Sequence, residues 1–243
     1  MKSILLTLTT FALATLSPAT AQTYLPAITD GHIDIGASYE DGALHLELHV
    51  HGATPEQDTH QELAESIVRF DFTGEEKSSL LSYQVWKSPH AVTLGMPFLG
   101  FGAEEVPLNI FTADSLSLAV TGFSFTGWTG QTSGGNFFLL QENEFGAEVL
   151  LYNSTTPNIG SVGLAAKTHG HGEWAFAEAG IYDITFQLTG TLALPEPESP
   201  SVLSTTGSLR FEIVPEPSSG ALLLAGMAVL AAARRKIRRT VQV

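Results

Sequence analysis

Histidine and glutamate side chains alternate with apolar ones along residues 43–51. In a β-strand, alternate side chains share a face, so Leu44, Leu46, Leu48 and Val50 would face the core, and His45, Glu47, His49 and His51 the other side. Neighbours on that polar face lie ~6.6 Å apart at the backbone, and two such imidazoles can converge on one ion through bonds of ~2.0–2.1 Å. The row predicts a metal site; the alternative is a polar strand face exposed to water.

Two further groups of histidines extend this pattern. His32 and Asp34 alternate with isoleucines, and Asp41-Gly42 predicts a hairpin turn that would bring them near His49 or His51. His169 and His171 either complete the same site or form a second one. The predicted metal ligands are His32, Asp34, His45, His49, His51, His169 and His171. We predict that His60 and His90 are ordinary surface residues.

Composition limits the chemistry that the chain can perform. It has 243 residues, a formal charge of −14 and no cysteine, which excludes disulfides, zinc-thiolate sites and thiol catalysis. Histidine and carboxylate ligands without thiols favour zinc, with nickel or copper as alternatives. All 25 acidic residues but only five of the 11 basic ones lie between residues 22 and 217, and this acidic surface opposes nucleic-acid binding and attracts cations.

The N-terminal 21 residues have the pattern of a secretory signal peptide. Lys2 provides the positive start, residues 4–16 are mostly apolar, and Ala19 and Ala21 flank Thr20 in a small-x-small cleavage site. We therefore expect signal peptidase to release a mature chain that starts at Gln22. The alternative is a buried N-terminal helix.

The C-terminal residues 214–243 form a three-part tail. The motif Pro215, Glu216, Pro217 is followed by an apolar segment, residues 218–233, and by a basic stretch, residues 234–239. The apolar segment is shorter than the ~20 residues of a comfortable transmembrane helix, and the basic stretch should stay cytoplasmic. We expect a single transmembrane helix with the preceding domain outside.

This tail resembles the PEP-CTERM sorting signal. In that family an exosortase is thought to cut at or near the motif and to pass the protein to the outer surface or an exopolysaccharide matrix. An identical tripeptide at residues 195–197 has no apolar segment after it. The alternative is a plain C-terminal membrane anchor.

Residues 22–213 are predicted to form one all-β domain, a β-sandwich. Short alternating runs are separated by Gly, Pro, Asn, Asp and Ser, with no long helical periodicity. The predicted strands are residues 32–39, 43–51, 66–72, 116–123, 136–142, 148–152, 182–194 and 207–214. Residues 57–65 are predicted to form a short helix and residues 195–204 a loop. Trp174, Phe176 and Tyr182 are expected in the core.

Two segments resemble the choice-of-anchor M domain. These are residues 30–35 with 44–48, and the run His-Gly-His-Gly-Glu-Trp-Ala-Phe at residues 169–176, followed by a glycine and Tyr182. Members of that family are attached to the surface by varied tails. Some relatives with a PEP-CTERM tail are described as controlled by a zinc-uptake repressor, which implies a role in zinc supply.

These observations predict a non-enzymatic surface protein that binds a divalent metal such as zinc, as a scavenger, a store or a metal-dependent surface module. One alternative is a structural or adhesive matrix protein without a specific metal role. A weaker one is a zinc hydrolase, in which Glu47 or Glu173 could act as the general base. No nucleophile motif such as Gly-x-Ser-x-Gly is present to support an enzyme.

Overall fold

The computed structural model describes residues 24–72, 78–80, 82–142, 148–156, 161–193 and 200–215, together with Met227. The predicted signal peptide with Ala19 and Ala21, the motif residues Glu216 and Pro217, and the basic tail lie outside the described residues. So does the predicted transmembrane helix of residues 218–233, except for Met227. Within the described part, no helix is long and apolar enough to cross a membrane.

Strands make up nearly all the regular structure of the described residues, and the all-β prediction is confirmed. The described part of the chain between the first and the last strand also contains three short 3-10 turns, at Pro55–Gln57, Leu63–Glu65 and Thr112–Asp114. The strands are β1 Gly31–Glu40, β2 Ala43–Val50, β3 Thr59–Glu62, β4 Ile67–Phe72, β5 Ser78–Leu80, β6 Tyr83–Lys87, β7 Pro97–Glu105, β8 Ser115–Gly127, β9 Phe137–Glu142, β10 Glu148–Asn153, β11 Ser161–Ala165, β12 His169–His171, β13 Glu173–Phe176, β14 Gly180–Thr191 and β15 Val202–Pro215.

The strands form three five-stranded sheets, in the orders β12-β7-β1-β2-β3, β10-β9-β13-β6-β5 and β11-β8-β14-β15-β4. Apolar side chains from all three sheets meet in one core cluster. Trp174, Phe176 and Tyr182 are fully buried there, as their sequence pattern predicted. Burial of such large aromatic side chains is a main source of stability in a domain without disulfides.

The hairpin predicted at Asp41-Gly42 is confirmed. Asp41 has φ 51° and Gly42 φ 82°, and positive φ at both central residues is the signature of a type I′ turn, whose twist matches that of the strands. The turn joins β1 to β2 in an antiparallel pair that places Asp34 opposite His49. This register sets the geometry of the polar face.

The predicted helix at residues 57–65 is wrong. Pro55–Gln57 and Leu63–Glu65 are single 3-10 turns, and between them Thr59–Glu62 is β3, which pairs with β2. This pairing satisfies the backbone hydrogen-bonding groups of β3. An isolated helix of nine residues would be only marginally stable in water.

The predicted loop at residues 195–204 ends too late. β15 already begins at Val202, opposite Thr191 of β14. The first residues of β15 are rich in serine and threonine, a composition typical of loops. In the structure they pair with β14 and lengthen the β14–β15 hairpin. The strands β5, β6, β7, β11, β12 and β13 were not predicted either. Both β7 and β13 are buried on both faces, which removes the alternation that marks a strand.

Candidate metal site

A single transverse row of side chains crosses the outer face of the sheet β12-β7-β1-β2-β3. His171 lies opposite Gly100, Gly100 opposite Asp34, Asp34 opposite His49, and His49 opposite His60. The row therefore takes one residue from each strand, and adjacent strands lie ~4.8 Å apart. We refer to these residues and their polar neighbours on this face as the histidine row.

The opposite face of the same strands holds the row in place. Ile33, Ile35 and Leu48 are fully buried in the core. Because side chains alternate across a strand, burying these three residues forces His32 and Asp34 of β1 and His49 of β2 onto the outer face. The burial of the apolar residues that alternate with them therefore positions the candidate metal ligands on the outer face.

Asp34 lies at the centre of the row and is fully buried, although it is on the outer face. His51 Nε2 donates to its Oδ2 over 2.8 Å. Its Oδ1 is buried, makes no hydrogen bond and lies 3.3 Å from His32 Nε2. An ionised carboxylate without full hydrogen bonding is costly to bury, and a cation between the carboxylate and the imidazoles would offset that cost.

Gly100 makes room for this carboxylate. A Cβ atom at Gly100 would overlap Asp34 Oδ1 and would stand 2.7 Å from the carbonyl oxygen of Gly170. The neighbouring outer-face positions Gly36 and Gly102 also lack side chains, and they lie opposite each other on β1 and β7. The glycines form a floor on which longer side chains from the flanking strands can converge.

The β12 histidines close one end of the row. His171 Nε2 lies 3.0 Å from His32 Nε2, so one of these two nitrogens carries the proton between them. His169 Nδ1 donates to Glu104 Oε1 over 2.7 Å. His32, His169 and His171 each offer a nitrogen, and the three nitrogens lie within 4.8 Å of one another. A single ion can draw such a set together with small side-chain movements.

Burial and charge set the protonation of the central groups. Burial raises the pKa of the Asp34 carboxyl, but the imidazoles of His32 and His51 lower it by more, and the net pKa lies below its ordinary value. Burial, with His32 nearby, lowers the pKa of His171. Asp34 is therefore ionised and His171 neutral at neutral pH, and these are the forms that ligate metal ions.

The other end of the row is a second cluster around His60. His60 Nδ1 lies 3.3 Å from Glu47 Oε1, and His60 Nε2 lies 3.2 Å from Glu105 Oε1. The imidazole rings of His32, His51, His49 and His60 stack in that order, with centroids 4.1, 4.2 and 4.5 Å apart. The histidine row is thus continuous from β12 to β3.

Five overlapping groups of the described residues could each hold a metal ion. They are His32, His169 and His171; His32, Asp34 and His51; His49, His51 and Glu104; His49, His60 and Glu105; and Asp34, Glu104 and His169. Six of the seven predicted ligands belong to these groups. His169 and His171 lie beside His32 in the same row.

His45 is the predicted ligand that the structure keeps apart. It is exposed and lies opposite Ser38, four residues along β2 from His49, or ~13 Å at the strand rise. It shares the face of the row but belongs to none of the five groups. The alternation of side chains along a strand predicts on which face of the sheet a residue lies. It does not predict which end of the strand lies beside the other ligand residues.

His60, Glu104 and Glu105 are members of the row that the sequence did not single out. His60 was expected to be an ordinary surface residue, and β3, the strand that carries it, was not among the predicted strands. Glu104 and Glu105 end β7, which was not predicted as a strand. In the structure, His60 and Glu62 of β3 lie opposite His49 and Glu47 of β2 and continue the polar face of β2 across one more strand.

These features define an all-β protein with a histidine-rich sheet face. A comparison with protein families matches residues 214–239 to the PEP-CTERM protein-sorting motif. This motif indicates an exported surface protein that is recognised by an exosortase and sorted to the cell envelope. No curated protein and no solved structure matches the chain.

Sorting should depend on the motif at residues 215–217. Replacing Pro215, Glu216 and Pro217 with alanines should leave an unprocessed precursor that does not reach the surface, because the family match begins at Val214. Immunoblotting of cell fractions and of the culture medium measures both effects. The matched control replaces the identical tripeptide at residues 195–197 and should be sorted normally; equal effects of the two changes would contradict the sorting account.

Proposed function

We propose that the exported domain is a non-enzymatic binder of divalent zinc, and that the histidine row is its binding site. The protein would act at the cell surface as a zinc scavenger, a store or a module whose contacts depend on bound metal. The observation that carries the proposal is the buried Asp34 carboxylate, with Oδ1 outside any hydrogen bond and histidine nitrogens on two sides.

The ligand set supports zinc over other cations. Imidazole nitrogen with one carboxylate oxygen is a common zinc set, whereas calcium and magnesium prefer sites made of oxygen atoms alone. Copper and nickel also accept imidazole. The similarity of residues 30–35, 44–48 and 169–182 to the choice-of-anchor M domain, with its link to zinc supply, adds to the zinc proposal.

Asp34, His32 and His51 would form the primary site, with His171 next to it. To bind the ion, His51 Nε2 would have to be free of its proton, and the neutral ring would then carry its proton on Nδ1, which lies 3.8 Å from Asp58 Oδ2. The fixed floor of β1 and β7 keeps these side chains in place, so little ordering entropy is lost when the ion arrives.

Two functions from other classes remain as outcomes of the test. A matrix or adhesion protein would keep the polar face without selective affinity for metal. A zinc hydrolase would need an open coordination position and a base. Glu173 is buried and held by Lys87, whose Nζ lies 2.9 Å from its Oε2, which favours a structural role for this carboxylate.

The test is a zinc titration of the full-length chain, kept in detergent and first treated with a chelator. We expect calorimetric binding tighter than micromolar and a rise in the melting temperature. A ligand that binds only the folded state at 100 times its Kd stabilises that state by about 2.7 kcal/mol. Binding no tighter than millimolar, with no change in melting, would contradict the proposal and favour the matrix function.

A further inference from the structure

The His60 end of the histidine row is a separate cluster of metal-ligand groups. His49, His60 and Glu105 each offer one ligand atom, and these atoms lie within 4.8 Å of one another. None of these three residues belongs to the group of His32, Asp34 and His51. Two imidazoles and a carboxylate form the ligand set of many open zinc sites, in which a fourth position is left for water.

The ligand atoms at the two ends of the row lie in different groups. Among the described residues, His60 and Glu105 share no group with Asp34 in which all ligand atoms lie within 4.8 Å of one another. Zinc bonds of about 2.0–2.2 Å keep the atoms bound to one ion within about 4.4 Å of one another. In the geometry of the structure, the two ends therefore serve two ions or leave one end unused.

The pocket beside His60 has the size and charge for an ion. It has room for about one water-sized sphere (10 Å³). Gly36 and Gly102 form part of its wall, where the absence of side chains leaves space. The polar residues that line the pocket are Glu47, His49, His60, Glu104 and Glu105. The carboxylates of Glu47 and Glu105 both lie near His60, and Glu104 accepts a hydrogen bond from His169. A divalent cation in this space would attract all three carboxylates.

The two ends differ in their contact with water. The Asp34 and His51 side chains are 1% and 19% exposed, whereas those of His60 and Glu105 are 36% and 41% exposed. Water screens charges more strongly at the exposed end. An ion there should bind more weakly and exchange faster than an ion beside Asp34.

We propose that His49, His60 and Glu105 form a second zinc site, so that each chain binds two zinc ions with unequal affinity. This inference rests on the proposed zinc-binding function and adds a second ion to it. The exposed site is the point at which an ion from the medium first meets the row, and the buried site retains an ion more tightly.

The test is a calorimetric titration of the full-length chain with zinc, beside parallel titrations of the variants His60→Ala and Glu105→Gln. The native chain should bind two ions in two distinguishable steps. Each variant should lose the weaker step and keep the tighter one. The change His90→Ala is the control, because His90 is an exposed histidine outside the five groups, and this variant should still bind two ions.

Absorption of bound cobalt, used in place of zinc, gives an independent measurement of ion number and ligand type. Circular dichroism checks that each variant has the native strand content. A native chain that saturates with one ion, or a His60→Ala variant that still binds two, would overturn the second site and leave the first intact. A native chain that binds no ion would overturn the proposed function as well.

Discussion

Replacing Asp34 by asparagine is expected to weaken zinc binding at the buried site by about 100-fold or more, since loss of a residue that only supports a ligand already costs 10–100-fold. Asparagine preserves the shape of the side chain but removes the charge that lies between His32 and His51. The variant should also lose most of the stabilisation that zinc gives to the native chain. Calorimetry and melting curves measure the two effects.

The control for this variant is His45→Ala. His45 is a histidine on the same strand face, but it is exposed and lies outside the five groups, so its loss should leave the titration unchanged. An Asp34→Asn variant that binds as tightly as the native chain would show that the ions lie elsewhere. A large effect of His45→Ala would show that the row extends toward the hairpin turn.

Replacing Gly100 by alanine is expected to destabilise the fold by about 1–3 kcal/mol, the usual cost of overpacking a filled site. The new Cβ would overlap Asp34 Oδ1 and press on the carbonyl oxygen of Gly170 and on the ring of His171. Both the carboxylate and β12 would have to move. Zinc affinity should fall together with stability, and urea unfolding with and without zinc separates the two effects.

Gly163→Ala is the matched control for this change. Gly163 also lies in a strand, β11, and a Cβ there would meet nothing within 4 Å. Its stability should therefore change by no more than a few tenths of a kcal/mol, the range of ordinary surface substitutions. If Gly100→Ala were equally silent, the close approach of β7 to Asp34 would not shape the site.

Local sequence patterns were enough to predict the part of the histidine row that the β1–β2 hairpin contributes. Alternation placed His32, Asp34, His49 and His51 on polar faces, and the Asp41-Gly42 turn set the register between the two strands. Both signals act over a few residues. They are properties of strand geometry and of turn stereochemistry, which depend little on the rest of the fold.

The arrangement of the rest of the row depends on pairings between distant parts of the chain. β7 pairs in parallel with β1, and β12 pairs with β7 across more than 60 residues of sequence. No local pattern indicates that Gly100 will face Asp34, or that His171 will reach His32. β3 is only four residues long and all four are polar, so no alternation of polar and apolar residues marks it as the strand that carries His60.

The central claim is that zinc ions occupy the histidine row. A crystal structure of the full-length chain grown with zinc, with anomalous diffraction collected on both sides of the zinc absorption edge, tests it most directly. We predict one anomalous peak among His32, Asp34 and His51, and a second, weaker peak among His49, His60 and Glu105. Well-ordered density for these side chains without an anomalous peak in the row would contradict the claim.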